Sequence, residues 1–471
     1  MLKIKPIKKV KILDKVIFGN VDIGVITSAD IEFNKVLSNL EPFIVDGINL
    51  SFIFTFSDDT NLQYYFGSLE GLNVCLVQSL STGNMSGGGA FFTIENLLRL
   101  SKPQLILMLG VCCGIDSKAT QDKFSIYVSN SITYYEAAKV DAKYLPRAIV
   151  ARQFELSNIF IEEIKSKMYT VKKGQYICGE KVVNNKDFKK KLQKLYPGAI
   201  ALDMESYSLV LAAKDIPYIV IKAASDFGVN KKGSENQESA MNCVIDYVKK
   251  CLKNAKEKAK LSHKSYKLNV FISGTFDEID NINYAKFVNC LTRRLLDKNY
   301  KIINGYGKGV GDNVISTVRK FSYANAMDFN NLAEINYFPL NSKLTSLEEY
   351  KSIAESIRVH MAVEADISLF LYGTKNGELK NEGVQREYQL SLENNCIIVP
   401  LASTGCETEN IYTNYVDYLN MSKNCVLNDK LQSLSDKIDY SRIENINKYI
   451  YKALSFIKIS IENRIQNCIN E

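Results

Sequence analysis

The run Ile219-Val-Ile-Lys-Ala-Ala-Ser-Asp226 decides how the first half of this chain is read: a short apolar stretch that ends in small residues and an acid. A run of this kind is a buried strand, and the ligand cleft of an open α/β sheet lies beyond the carboxyl ends of its strands. Working outward, the same pattern recurs. Ala201-Leu-Asp-Met-Glu205 closes a strand over 199–204, and Glu32 follows a strand over 21–26. Further strands fall at 72–78 and 105–111. Helices fall at 30–40, from the glycine-rich turn 83–89 through 100, and at 236–258. Strands alternating with helices predict a largely parallel sheet flanked by helices.

After 258 this pattern stops and then restarts. Residues 253–267 are charged, polar and lysine-dense. A second series follows: strands at 267–273, 301–304, 367–372 and 396–401, with helices at 284–297, 312–321, 344–362 and 384–392. A chain of 471 residues is too long for one core. The expected division is an N-terminal extension (1–20), a first α/β domain (21–258), a linker (259–267), a smaller Rossmann-like domain (268–430) and a helical tail (431–471).

Composition removes several function classes. Hydrophobic residues make up 46% and charged residues 24%, as in an ordinary globular protein. The net charge of +7 suits small anionic ligands and makes no case for nucleic acid. The 11 cysteines are scattered, with no C-x-x-C spacing, so neither a disulfide framework nor a zinc site is expected, and reduced thiols in a cytoplasm are the simpler reading. Residues 1–20 are basic but lack the apolar core of a signal peptide, and the apolar stretch 105–115 is too short to span a bilayer, so no membrane partner is expected. There are two histidines, His263 in the linker and His360 on a helix, so a histidine-based triad has no evident nucleophile beside it. No cofactor and no metal are expected.

Glu32, Glu205 and Asp226 each stand at a strand end or a helix start. Taken singly, each reads as an acid capping a helix. Their joint pattern resembles the nucleoside phosphorylase superfamily, and within it the methylthioadenosine/S-adenosylhomocysteine nucleosidases. The resemblance spans roughly 21–258. It is carried by Ile23-Gly-Val-Ile-Thr-Ser-Ala-Asp-Ile-Glu32, Ser81-Thr-Gly83, Leu109-Gly-Val-Cys-Cys-Gly114, Cys178-Gly-Glu-Lys-Val-Val-Asn184, Asp203-Met-Glu205 and Ala224-Ser-Asp226. It implies a phosphorylase/nucleosidase-type α/β sandwich. It also implies that Asp226 protonates N7 of a leaving purine, that Glu32 activates water, and that Glu205 binds the ribose hydroxyls beside Met204. Ser225, Val182, Val183 and Val111 would complete the pocket for base and sugar. The matching loop Thr27-Ser-Ala-Asp30 carries no arginine to hold inorganic phosphate, and Glu32 would repel it, so water is favoured over phosphate as nucleophile. Val111, Cys112 and Cys113 stand where serine or glycine is usual, and Thr27 replaces a common glycine, which leaves the substrate open: a nucleoside, ATP, NAD or S-adenosylhomocysteine.

In the second series Gly305-Tyr-Gly-Lys-Gly-Val-Gly311 lies between a strand and a helix, where backbone can approach an anion. A tight turn is the plainer reading of those glycines. Residues 269–412 resemble the SLOG domains found at the C-terminus of the NAD-consuming Thoeris antiphage effector. The matching pieces are Phe271-Ile-Ser-Gly-Thr275, Ile303-Asn-Gly-Tyr-Gly-Lys-Gly309, Ile357-Arg-Val-His-Met361, Phe370-Leu-Tyr-Gly-Thr-Lys375, Glu382-Gly-Val-Gln-Arg-Glu387 and Ile398-Val-Pro-Leu-Ala-Ser-Thr-Gly405. The resemblance implies a site for a cyclic ADP-ribose-type messenger, with Ser273, Gly274, Gly305, Gly307 and Gly309 near its backbone-binding edge. Arg358 and Lys375 would grip phosphates, and Glu387 a ribose or base. Joined to a nucleosidase-like domain, such a sensor implies a homo-oligomeric antiphage effector that removes adenine when messenger binds. A constitutive nucleosidase or phosphorylase with an appended domain, and a protein that only binds nucleotides, are the competing readings.

Overall fold

The computed structural model describes residues 4–6, 11–45, 48–49, 53–84, 87–115, 124–140, 144–146, 158, 160, 166–183, 185–226, 234–264, 266–276, 282–339, 346–374, 381–421 and 425–470. The chain divides into two compact units, 1–265 and 266–471.

Unit 1 runs β1 (Ile4–Pro6), α1 (Lys11–Gly19), β2 (Ile23–Thr27), α2 (Asp30–Leu37), β3 (Ile44–Val45), β4 (Ile48–Asn49), β5 (Ile53–Ser57), β6 (Gln63–Leu69), β7 (Leu72–Gln78), α3 (Ala90–Leu100), β8 (Leu105–Gly114), β9 (Phe124–Tyr134), β10 (Ala138–Val140), β11 (Tyr144–Pro146), β12 (Tyr169–Cys178), α4 (Lys186–Leu195), β13 (Ala199–Asp203), α5 (Tyr207–Ala212), β14 (Tyr218–Asp226) and α6 (Ser234–Glu257). Its ten-stranded mixed sheet has the order β1-β5-β6-β7-β2-β8-β13-β12-β9-β14, and β14 also pairs with β8. The last five strands therefore close on themselves. β7, β2, β8 and β14 are parallel neighbours, and their residues are nearly all buried, as apolar runs covered on both faces should be. Helix α6 buries Ala240, Met241, Val244, Tyr247, Val248, Cys251, Leu252 and Ala255, a three-to-four spacing that lays one stripe on the sheet.

The end of unit 1 is fastened to its beginning. The buried Asp22 carboxylate, just before β2, accepts hydrogen bonds from the backbone N–H groups of Asn73 and Lys264, and lies 2.9 Å from His263 Nδ1. Residues 261–264, placed in the linker by the sequence reading, pack here against unit 1, with Leu261 buried.

Unit 2 runs β15 (Asn269–Thr275), α7 (Ile282–Asp297), β16 (Lys301–Asn304), α8 (Val310–Asn325), β17 (Ala333–Ile335), α9 (Leu347–Glu364), β18 (Ile367–Tyr372), α10 (Glu382–Glu393), β19 (Ile397–Pro400), α11 (Glu407–Met421), α12 (Cys425–Gln432) and α13 (Ile443–Asn470). Its sheet has the order β17-β16-β15-β18-β19, parallel throughout. The chain steps outward from β15 on one side, then returns to lay β18 on the other. The strand order reverses between β15 and β18, which opens a crevice at their carboxyl ends. Among the described residues no helix is long and apolar enough to cross a membrane.

Candidate functional site

Each unit carries a cluster of acids and a cation at the carboxyl ends of parallel strands. In unit 1 the cluster is built on β2, β8, β13 and β14, of which β8 pairs with each of the other three. Glu32 lies in the first turn of α2, just after β2 and Ser28-Ala29. Its Oε2 accepts from the N–H groups of Ser28 and Ala29, both at 3.0 Å. Capping its own helix is thus part of its role, as the single-residue reading expects. Its other oxygen, Oε1, accepts from the Val111 N–H on β8 at 2.8 Å, across 79 residues of sequence. Gly110 makes this approach feasible, because a Cβ there would overlap the Glu32 carboxylate.

Lys222 stands opposite Gly110 on β14. Its Nζ lies 2.8 Å from Asp203 Oδ2 and 2.9 Å from Glu205 Oε2. Glu32, Asp203, Glu205 and Lys222 are only 4%, 7%, 7% and 3% exposed, so this is a charge cluster removed from bulk water. Burial pushes the Glu32 pKa above the usual carboxylate range, against the pull of the Lys222 charge and the three N–H groups. Burial alone would depress the Lys222 pKa, but the carboxylates of Asp203, Glu205 and Glu32 outweigh it and hold the ammonium well above its ordinary value. The Asp203 side chain also accepts from Ser206 Oγ at 2.6 Å, which fixes the turn into α5.

The sequence-derived residues fall around this cluster in different ways. Glu32, Glu205 and Val111 are brought together. Met204 is half-buried in the turn beside Glu205. Asp226 ends β14 next to Cys113, after a register shift at Ser225 that re-aims the chain. The side chains of Ser225 and Asp226 lie outside the described part. Val183 packs with Ile115 and Tyr135 in a second apolar cluster, whereas Val182 is 73% exposed. The sequence reading missed Lys222, because a lysine inside an apolar run looks like an interruption. It also missed Asn84, in the glycine-rich turn. The buried Asn84 Oδ1 accepts from Ser208 N at 3.0 Å and Ser208 Oγ at 2.9 Å, while its own N–H donates to Glu180, tying that turn to α5 and to the end of β12.

In unit 2 a cavity of about 710 Å³ opens at the ends of β15 and β16. Ser273, Gly274, Gly305, Gly307, Arg358 and Glu387 all line it, so six of the expected messenger-binding residues share one space. Gly274 brings β15 close enough to β18 that a Cβ would overlap the Leu371 carbonyl oxygen. Gly309 does not border the cavity. It caps α8 with a left-handed φ of 74°. Lys375 lies outside the described residues.

Glu387 Oε2 accepts from Ser273 Oγ at 2.6 Å. The other oxygen, Oε1, is 3.7 Å from Arg358 Nε, too far for a hydrogen bond, and that buried Nε has no acceptor. The Arg358 guanidinium instead lies 5.0 Å from the centre of the Phe338 ring, a cation–π contact. Burial raises the Glu387 pKa to about 7, against the Ser273 hydrogen bond and the Arg358 charge. Asn381 caps α10 by accepting from the N–H groups of Gly383 and Val384. Lys308, Lys351, Glu355 and Arg386 also face the cavity, and the sequence reading assigned none of them. Among the described residues no group of His, Cys, Asp and Glu is arranged to hold a metal ion.

Comparison with known proteins matches both units. Residues 53–259 match the family model for the phosphorylase superfamily, and residues 259–457 that for the Sir2- and TIR-associating SLOG family. The chain is similar to the NAD(+) hydrolase ThsA of Bacillus cereus (strain MSX-D12), 32% identical over 144 residues, covering 29% of this chain and 29% of that protein. It is also similar to a death domain-containing ATP nucleosidase of Amphimedon queenslandica, 27% identical over 254 residues, covering 48% of this chain and 46% of that one. The chain thus spans less than half the length of either curated relative. Among solved structures, S-adenosylhomocysteine nucleosidase from Streptococcus pyogenes aligns with 50% of this chain and 98% of its own, at 20% identity and a TM-score of 0.41.

Proposed function

We propose that this chain, a phosphorylase-superfamily domain followed by a SLOG domain, is an effector that hydrolyses the N-glycosidic bond of a purine nucleoside or nucleotide and releases adenine when a cyclic ADP-ribose-type messenger occupies the SLOG cavity. Antiphage defence from a cytoplasmic homo-oligomer is the setting this reading gives it. The names of the relatives, an NAD(+) hydrolase and an ATP nucleosidase, bring NAD and ATP forward as substrates to try first.

The observation that supports the reading most is the gathering of Glu32 and Glu205 around buried Lys222, on the strand that ends in Asp226. In the proposed reaction the Asp226 carboxyl donates its proton to N7 of the purine, and the C1′–N9 bond breaks with its electron pair leaving on the base. The sugar then carries oxocarbenium character, as in glycoside hydrolysis. Glu205 receives the ribose hydroxyls and opposes that positive charge. Water attacks C1′, and Glu32 takes its proton. The raised pKa makes Glu32 a better acceptor for that proton. Water rather than phosphate is favoured because the N–H groups of Ser28, Ala29 and Val111 are already taken by the Glu32 carboxylate, which would repel a second anion. In the SLOG unit Arg358 has an unmet donor for a phosphate oxygen, and Glu387 an oxygen free of hydrogen bonds for a ribose or base donor.

The test incubates the full chain with adenosine, ATP, NAD and S-adenosylhomocysteine, with and without cyclic ADP-ribose isomers, and follows free adenine by chromatography. Adenine that appears only with messenger is the expected result. Equal release without messenger selects a constitutive nucleosidase, a strict need for inorganic phosphate selects a phosphorylase, and tight nucleotide binding without adenine release selects a binding protein.

A further inference from the structure

Asp22 joins the end of unit 1 to the starts of its central strands. Its carboxylate is fully buried, yet four donors meet it. Asn73 N and His263 Nδ1 lie 2.7 and 2.9 Å from Oδ2, and Lys264 N and Gln104 Nε2 lie 2.6 and 3.2 Å from Oδ1. His263 Nε2 is buried without a partner among the described residues, so the ring hydrogen belongs on Nδ1, where it donates to Asp22. Gln104 Nε2 also donates to the Ser262 carbonyl at 2.7 Å. Residues 262–264 are thus tied both to Asp22 and to Gln104.

Asp22 stands immediately before β2, and Gln104 immediately before β8. The two strands run in parallel register from Ile23 beside Leu105 to Ile26 beside Met108, buried throughout. Just beyond, they supply the donors that hold Glu32. Ser28 and Ala29, after β2, grip one carboxylate oxygen, and Val111, on β8, grips the other. Glu32 therefore bridges the two strands at one end, as residues 262–264 bridge them at the other. The two bridges are roughly 20 Å apart at 3.3 Å per residue. A close-packed interior is hard to compress and passes strain along a buried strand. A slide of β2 against β8 at their starts separates the groups that grip the two Glu32 oxygens. Unit 2 begins at residue 266, so tension on the chain there acts first on this contact.

We propose that residues 262–264, through Asp22 and Gln104, form a clamp that positions Glu32 by fixing the offset of β2 against β8. Asp22, Gln104 and His263 are positioning residues, distant from the reacting atoms. A carboxylate at the depth of Asp22 is costly to bury unless hydrogen bonds meet it, and two of its donors come from the 262–264 segment. Without them the start of β2 carries an under-bonded charge and has to move. That Glu32 acts in the reaction rests on the function proposed above, whereas the mechanical link does not.

The test compares the full natural chain with His263→Ala, Gln104→Met and His263→Asn, by hydrogen exchange read in a mass spectrometer and by adenine release. The asparagine keeps a donor toward Asp22. His263→Ala and Gln104→Met should speed exchange roughly tenfold in peptides covering 27–33 and 109–112, with residues 240–252 of α6 unchanged. His263→Asn should stay near the natural protein. In the first two variants kcat for adenine release should fall about tenfold at nearly constant KM. Faster exchange confined to 22–24 and 262–264 means a local contact, and faster exchange spread evenly over unit 1 means a general loss of stability. Either result overturns the clamp. So does release that Glu32→Gln abolishes but both clamp variants leave unchanged. If Glu32→Gln has no effect, or no substrate yields adenine, the proposed function fails and the exchange pattern alone decides the clamp.

Discussion

The two sites use the same ingredients and finish them differently. In unit 1 Lys222 touches Asp203 and Glu205 at 2.8 and 2.9 Å, and Glu32 is held by three backbone N–H groups, so each buried charge already has a partner. In unit 2 Arg358 and Glu387 face each other across 3.7 Å with a donor unmet. A closed cluster is pre-organised for chemistry, since groups that need not move cost nothing at the moment of reaction. An open one is suited to sensing, since a ligand that completes it adds contacts the empty state lacks. On the proposed reading, the same strand-end position serves a reaction where its charges are satisfied beforehand and a ligand where they are not.

The comparison can be broken most severely at the proposed acid and base. Asp226→Asn or Glu32→Gln should lower adenine release on the order of 10²–10⁴-fold with the fold retained, and a rate within threefold of the natural protein would remove them from the chemistry. Next comes the closed cluster itself. Lys222→Met leaves Asp203 and Glu205 buried without their cation, and removing one partner of such a group costs about 3–5 kcal/mol. Calorimetric unfolding should show the loss, and an unchanged melting temperature would mean that the cluster is hydrated and only loosely paired. Gly110→Ala pushes a methyl group into the Glu32 carboxylate. Displacing the proposed base in this way should cost roughly a hundredfold in kcat, and steady-state kinetics would show it against an intact circular dichroism spectrum.

The smallest expected effect belongs to unit 2. A carboxyl whose pKa is raised in the folded state favours folding while protonated, and that benefit is lost as pH climbs from the unfolded value toward the folded one. For Glu387 that window runs from the ordinary carboxyl value of 4.5 up to about 7. Glu387→Gln should therefore gain stability relative to the natural protein between pH 5 and 8, by at most roughly 3 kcal/mol. Parallel denaturation curves at the two pH values check this, and a stability difference independent of pH would show that Glu387 does not titrate on folding in this window.

Much of this architecture is legible in the sequence where apolar runs end in acids. The strands β2, β7, β8, β13 and β14, and β15, β16, β18 and β19 of unit 2, follow from largely apolar, buried stretches, whereas the short, half-buried edge strand β17 (Ala333–Ile335) was not read. The long strands β9 and β12 do not follow from such stretches. Phe124–Tyr134 and Tyr169–Cys178 interleave serine, lysine and tyrosine with apolar residues, and their role in closing the sheet depends on partners far along the chain. Glu32 and Glu205 are legible as strand-end acids, but their meeting depends on Lys222, whose charge argues against burial until the carboxylates around it are seen. The cations of the cavity, exposed Lys308 and Lys351 and half-buried Arg386, look like any helix or loop surface, since nothing local separates a charge that faces a ligand from one that faces water.

The most direct measurement runs the reaction in ¹⁸O-labelled water with a substrate that yields adenine, and weighs the sugar product by mass spectrometry. The account predicts one heavy oxygen on the anomeric carbon of the released ribosyl moiety, with or without phosphate in the buffer. A ribosyl 1-phosphate that forms only when phosphate is present, or an intact glycosidic bond under every condition, would contradict it.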